Sequence, residues 1–213
     1  MFLFLALSIT FIIFSFLVTQ GLFLSIDQYI DQAIFFQLDS PLYFISRFLA
    51  FIYVPLILIV IALFIRFLLK KQTNEALITV MVSIGALVAE FVLKPIFNIR
   101  CPQNYYTMFM ADQEVFGLLR FLQSYGFFET CYPSSHVASY VVLCGYLAYL
   151  VLKHIKEKWP RYLWLSILFT LIILVGPSRL YLHAHWFSDV IGGYLLGFAL
   201  LALIISLHKR LIR

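Results

Sequence analysis

Residues 2–26 contain no charged side chain. A run of that length and polarity matches the ~20 apolar residues a helix needs to cross a bilayer. Further stretches read the same way at 48–65, 76–93, 137–152, 162–178 and 190–207, the second of these interrupted by Glu90. The last two are short and are expected to extend into their flanks. In hydrocarbon every backbone polar group must be bonded internally, which favours helices. The expectation is an all-α polytopic membrane protein with six transmembrane helices in a bundle. The first stretch lacks a basic leader and a small-residue cleavage site, so it reads as a retained helix and not a signal peptide. Composition agrees, with 63% hydrophobic and only 12% charged residues. Such a chain cannot cover itself with a water-compatible surface, which excludes an ordinary soluble enzyme, a disordered chain and a nucleic-acid-binding domain. No internal repeat or Pro/Ser/Gly-rich linker divides it, so 1–213 reads as a single domain.

The formal net charge of +5 carries topology more than partner choice. Arg66, Lys70, Lys71, Lys153, Lys156, Lys158, Arg161, Lys209, Arg210 and Arg213 fall on one set of helix ends. Arg47, Lys94, Arg100, Arg120 and Arg179 fall on the other, with most of the acids: Asp27, Asp31, Asp39, Asp112, Glu114, Glu129 and Asp189. The positive-inside rule places the first set, and both termini, in the cytoplasm. Contact with anionic lipid heads is the partner these charges suggest. On the outer side, residues 115–128 read either as a short interfacial helix or as a loop packed on the bundle.

Ionisable residues at membrane depth are costly and mark sites. Glu90 and Lys94 share a helical face in the favourable order, which fits a structural pair. Lys94 is joined by Arg100 near Pro95 and Pro102. The fourth span opens with Pro133-Ser134-Ser135-His136. A helix start presents unpaired N–H groups to an anion, although Ser134 could equally be a routine N-cap. The link before the sixth span holds Ser178, Arg179, His183, His185 and Asp189. His185 and Asp189 are four apart, and a carboxylate on one imidazole nitrogen fixes the tautomer and directs chemistry to the other. A metal held by His136, His183, His185 and Asp189 is disfavoured, because Lys94, Arg100 and Arg179 would repel a cation. Three fixed positive charges suit an anion with several oxygens, phosphate above all.

Together these segments resemble the type 2 phosphatidic acid phosphatase family, which shares its motifs with vanadium haloperoxidases. The family pattern is K-x6-R-P, P-S-G-H and S-R-x5-H-x3-D. The third motif is complete as Ser178, Arg179, His185 and Asp189. The second has Ser135 where the family has glycine. The first is altered: five residues separate Lys94 from Arg100, and Cys101 stands between Arg100 and Pro102. The motif core covers about 90–192.

The resemblance implies a lipid phosphatase acting on a phosphomonoester or pyrophosphate, such as phosphatidic acid, phosphatidylglycerol phosphate, a polyprenyl diphosphate or a lipid A. His185 would be the nucleophile, forming a phosphohistidine. Asp189 would hold it, and His136 would protonate the leaving oxygen. Lys94, Arg100, Arg179, Ser134, Ser135 and Ser178 would bind the phosphate oxygens. It implies no metal or organic cofactor. The expected place is the bacterial cytoplasmic (inner) membrane, with the site at the extracytoplasmic ends of the third to sixth helices. A lipid-to-lipid phosphotransferase and a non-catalytic anion- or lipid-binding membrane protein are the rival readings; oligomeric state is open. His183, outside the motif, reads as an interfacial or supporting residue, with a substrate contact as the alternative. Gly193 and Gly197 suggest close helix packing. Cys101 and Cys131 flank motif segments on the outer side and can join there in an oxidising compartment, though spacing leaves the geometry open. No site residue is expected before about Glu90.

Overall fold

A computed structural model describes residues 1–34, 40–88, 92–102 and 130–211. Among them the regular elements are helices: α1 (Phe2–Thr19), α2 (Leu24–Ala33), α3 (Pro41–Leu69), α4 (Thr73–Val88), α5 (Lys94–Phe97), α6 (Ser135–His154), α7 (Lys158–Tyr181) and α8 (Phe187–Leu211). Helices α1, α3, α6, α7 and α8 are long and apolar enough to cross a membrane. The chain is therefore an integral membrane protein. The expected span at 76–93 falls largely on α4, which reaches Val88; residues 89–91, and with them Glu90, lie outside the described residues. The interfacial helix expected at 115–128 lies outside them too.

The first apolar stretch is not one helix. α1 stops at Thr19, the chain turns at Gly21 with φ +75°, and α2 starts at Leu24. A positive φ suits glycine, which has no Cβ to clash. No charged residue marks the turn, only Thr19 and Gln20, so hydropathy averaged over the stretch concealed it. Elsewhere the spans outgrow their apolar cores. α3 begins where Ser40 caps the Leu42 amide at 3.1 Å and Pro41 takes the first turn, a favoured start. α7 and α8 extend well beyond 162–178 and 190–207.

α6 is the central helix: 67% of its apolar window is buried, against 17% for α1 and α3. It packs against α8, α7 and α4. Tyr140, Val141, Leu143 and Tyr146 form its part of the core with Val60, Ile78 and Val175. The outer helices turn Phe2, Phe51 and Trp159 outward, as expected where lipid tails are the solvent. Gly193 and Gly197 seat α8 on α6. A Cβ on Gly193 would meet the Ser134 carbonyl oxygen at 2.6 Å, and one on Gly197 would meet Val141 Cβ at 2.7 Å. The close packing expected of this pair is present, and it sets the start of α6 against the first turns of α8.

The two ends of the bundle differ. The Met1 amine lies 3.5 Å from Ser206 Oγ, Asn74 Nδ2 donates to the Leu211 carbonyl at 2.8 Å, and Lys153 Nζ meets His208 Nε2 at 3.0 Å. These contacts gather both ends of the chain at the pole rich in Lys and Arg. The motif residues gather at the opposite pole.

Candidate active site

The site is built where α5, the start of α6, the end of α7 and the start of α8 converge. Cys131 N donates to the Ile99 carbonyl at 2.9 Å, and Arg100 bridges Thr130. A Cys101–Cys131 disulfide, with Cα atoms 5.0 Å apart, locks the same two segments. The pairing left open by spacing is thus made. Tyr132 is fully buried; its hydroxyl meets Ser15 Oγ of α1 at 2.7 Å, and its ring stacks on Phe11. The chain then enters α6, where the Ser134 amide donates to the Asp189 carbonyl of α8 at 3.0 Å. The second and third motifs are therefore joined through the backbone.

Asp189 is completely buried. Its Oδ2 accepts the Trp186 amide at 2.9 Å and lies 3.4 Å from His185 Nδ1. That oxygen caps the helix carrying it and orients the imidazole at once. Asp189 Oδ1 and Ser134 Oγ are buried and lack a hydrogen-bond partner among the described residues. Ser134 sits in the N-cap position, yet its side chain makes no capping bond. The hydroxyl of Ser134 is thus not spent on capping the helix. A buried hydroxyl without a partner costs stability, and it is a donor available to an oxygen-rich ligand.

His136, one residue into α6, is partly buried and has its ring 5.5 Å from the Tyr53 ring of α3. Arg179, His185 and Lys94 all act electrostatically on it, and Lys94 also acts on Asp189. Lys94 and Arg179 are buried. Burying a cation in an apolar bundle is costly, which marks both positions. Arg179 is steered from two sides. Its Nη2 donates to the Ser46 carbonyl of α3 at 3.2 Å, and its Nε meets Ser178 Oγ at 3.4 Å. The Ser178 hydroxyl itself donates back to Val175 O at 2.7 Å. Ser178 thus works on Arg179 in this arrangement. Ser135 is buried in the first turn of α6. Arg100 is exposed, and its carbonyl accepts the Trp186 indole N–H at 2.8 Å. Its backbone braces the α8 entry.

Cys131, His185 and Asp189 bring potential ligand atoms within 4.8 Å of one another. Cys131 is disulfide-bonded, so it has no thiolate to offer a metal. The donor set fits a metal poorly. Beside the site an apolar groove of about 300 Å³ runs between α3 and α7, lined in part by Leu42, Ile45, Leu49, Leu174, Pro177 and Ser178.

Sequence reasoning expected nothing of the N-terminal part, and here the structure differs. Asp27 of α2 accepts both the amide and the hydroxyl of Ser188, at 2.8 and 2.7 Å. Asp31 Oδ1 lies 2.6 Å from His183 Nδ1. His183 is buried and paired, which favours the supporting reading over an interfacial one. The acids of α2 are four apart on a short amphipathic helix, a spacing that by itself looks like a solvated face; only the tertiary fold reveals their partners.

The model of the PAP2 superfamily matches residues 74–213. Phosphatidylglycerophosphatase B of Bacillus subtilis (strain 168) is 31% identical over 86 residues, covering 38% of this chain and 41% of the relative. An uncharacterised 22.5 kDa protein of the Klebsiella pneumoniae cps region is 42% identical over 66 residues, covering 24% of this chain and 32% of the relative. The chain thus matches less than half the length of these curated relatives. In fold it is similar to the crystal structure of a transmembrane PAP2-type phosphatidylglycerolphosphate phosphatase from Bacillus subtilis, with a TM-score of 0.71 and 22% identity, over 99% of this chain and 98% of the other.

Proposed function

The chain belongs to the PAP2 superfamily, and from that premise we propose that it is a membrane lipid phosphatase removing a phosphate or terminal phosphate from a lipid head. One observation carries the reading. His185, oriented by Asp189, shares one pole of the bundle with His136 and with the cations Lys94 and Arg179. A nucleophile, an acid and an anion cradle are the parts phosphoryl transfer needs.

In the first step His185 Nε2 attacks phosphorus and the bond to the lipid oxygen breaks. His136 gives that oxygen its proton, so the lipid leaves as an alcohol or a shortened phosphate. Lys94 and Arg179 hold the equatorial oxygens, joined by Arg100 and by the hydroxyls of Ser134 and Ser135; Ser178 helps by holding Arg179. In the second step water attacks the phosphohistidine, His136 takes its proton, and the P–N bond breaks to release phosphate. The scheme uses no metal or organic cofactor.

A lipid substrate is supported by the groove between α3 and α7, which shares Ser178 with the site and is almost wholly apolar. A chain in the groove leaves the head at the pole. By the positive-inside rule that pole faces the periplasm or outside, with both termini cytoplasmic. The similarity to phosphatidylglycerophosphatase B makes phosphatidylglycerol phosphate the first substrate to try.

The test is phosphate release by detergent-purified protein from phosphatidic acid, phosphatidylglycerol phosphate, a polyprenyl diphosphate and phosphorylated lipid A. Release from at least one lipid, exceeding that from a water-soluble monoester, supports the reading. Transfer to an added lipid acceptor without release would replace it with a phosphotransferase.

A further inference from the structure

Two carboxylates of α2 grip the segment that carries His185 from both sides. Asp27 is buried, and its two oxygens take the Ser188 amide and hydroxyl separately. Ser188 is the second residue of α8, where a helix leaves its amides without internal partners. Asp27 is thus an N-cap supplied by another helix. One turn further along α2, Asp31 holds His183 Nδ1. His183 stands at φ +48°, a conformation uncommon for a residue with a side chain. Tyr29, between the two acids and on the other side of α2, is exposed, so the helix turns its carboxylates in and its aromatic ring out.

We propose that Asp27 and Asp31 are positioning residues that hold His185 in its attacking geometry. His183 and Ser188 lie two residues before and three residues after His185, so the grip brackets the nucleophile. The residues of α2 lie outside the 74–213 stretch that matches the superfamily, so the match itself does not account for the grip. The kinetic consequence rests on the phosphatase reading; the grip itself does not. The reason it matters is geometric: a displacement of about 1 Å at a reacting atom can cost ~10²-fold in rate.

The experiment compares wild type with Asp27→Ala, Asp31→Ala and His183→Gly, by amide hydrogen exchange in detergent and by kinetics. His183→Gly keeps the left-handed backbone without strain and removes only the imidazole. Exchange across 183–189 should accelerate about tenfold in each variant, with α6 amides unchanged. kcat should fall by roughly 10- to 100-fold with KM unchanged. Wild-type exchange at 183–189 in all three variants would overturn the proposal, and so would faster exchange with undiminished kcat. If wild type hydrolyses no lipid phosphate, the phosphatase reading fails and exchange alone decides the grip. If an alanine variant loosens α6 as well, His183→Asn decides. Asparagine tolerates the positive φ and keeps a donor for Asp31, so it should restore protection relative to His183→Gly; no restoration would overturn the grip.

Discussion

Asp189 Oδ2 serves two donors at once, the Trp186 amide at 2.9 Å and His185 Nδ1 at 3.4 Å. The carboxylate is therefore part of the helix start and part of the imidazole's orientation. Asp189→Asn keeps the shape but can present an N–H where an acceptor is needed. kcat should fall on the order of 10³-fold or more, by analogy with other carboxylate–imidazole pairs. Steady-state kinetics on purified variant checks it; a loss below about tenfold would mean that Asp189 serves only the helix.

His136 is assigned the leaving-group proton, so its importance should depend on the leaving group. His136→Ala should cost roughly 10²–10⁴-fold on a lipid phosphate. In the first-turnover burst of p-nitrophenolate from p-nitrophenyl phosphate, whose leaving group needs no proton, the loss should be much smaller. Equal losses on both substrates would assign His136 to binding.

Ser134 stands in the cap position without capping. An ordinary N-cap serine costs about 1 kcal/mol when replaced by alanine. Ser134→Ala should cost less than about 0.5 kcal/mol in a detergent melt, while KM rises or kcat falls. A large stability loss with unchanged kinetics would contradict the assignment.

The helix contact beside the site should be intolerant of a methyl group. On Gly193 it would strike the Ser134 backbone oxygen, which cannot move without moving α6. Gly193→Ala should cost about 1–3 kcal/mol and lower activity. At Gly145 the nearest atoms are the flexible tip of Leu201, so Gly145→Ala should be milder. Thermal melts of the two variants side by side check the order.

Cys101 and Cys131 are separated by 30 residues. On the chain-entropy account, closing such a loop contributes about 3–4 kcal/mol. Reduction with dithiothreitol, or Cys101→Ser, should lower the melting temperature and the activity together. Peptide mapping without reductant should recover the cross-linked pair; two free thiols would remove the basis of this prediction.

What could be read from sequence followed from rarity. In a chain with 12% charged residues, Arg179, His185 and Asp189 beside an apolar run stand out, because charge at membrane depth is costly. The same logic picked out Lys94 and His136. It failed where a signal was local and common. Asp27 and Asp31 look like a solvated face until α2 is folded over α8. The Ser46 carbonyl that steers Arg179 has no sequence signature, since every residue carries one. Hydropathy merged α1 with the start of α2 because Thr19, Gln20 and Gly21 carry no charge and long apolar runs flank them. Ser134 read as cap or ligand with equal force, since both uses require a small hydroxyl at a helix start.

The most direct test of the central claim is phosphate release from a panel of lipid mono- and diphosphates in EDTA, wild type beside His185→Ala. The account predicts metal-independent release by wild type and none above background from the variant, with acid-labile phosphate trapped on wild-type protein alone. Release that survives the loss of His185 would contradict it, as would a folded wild-type protein that hydrolyses no member of the panel.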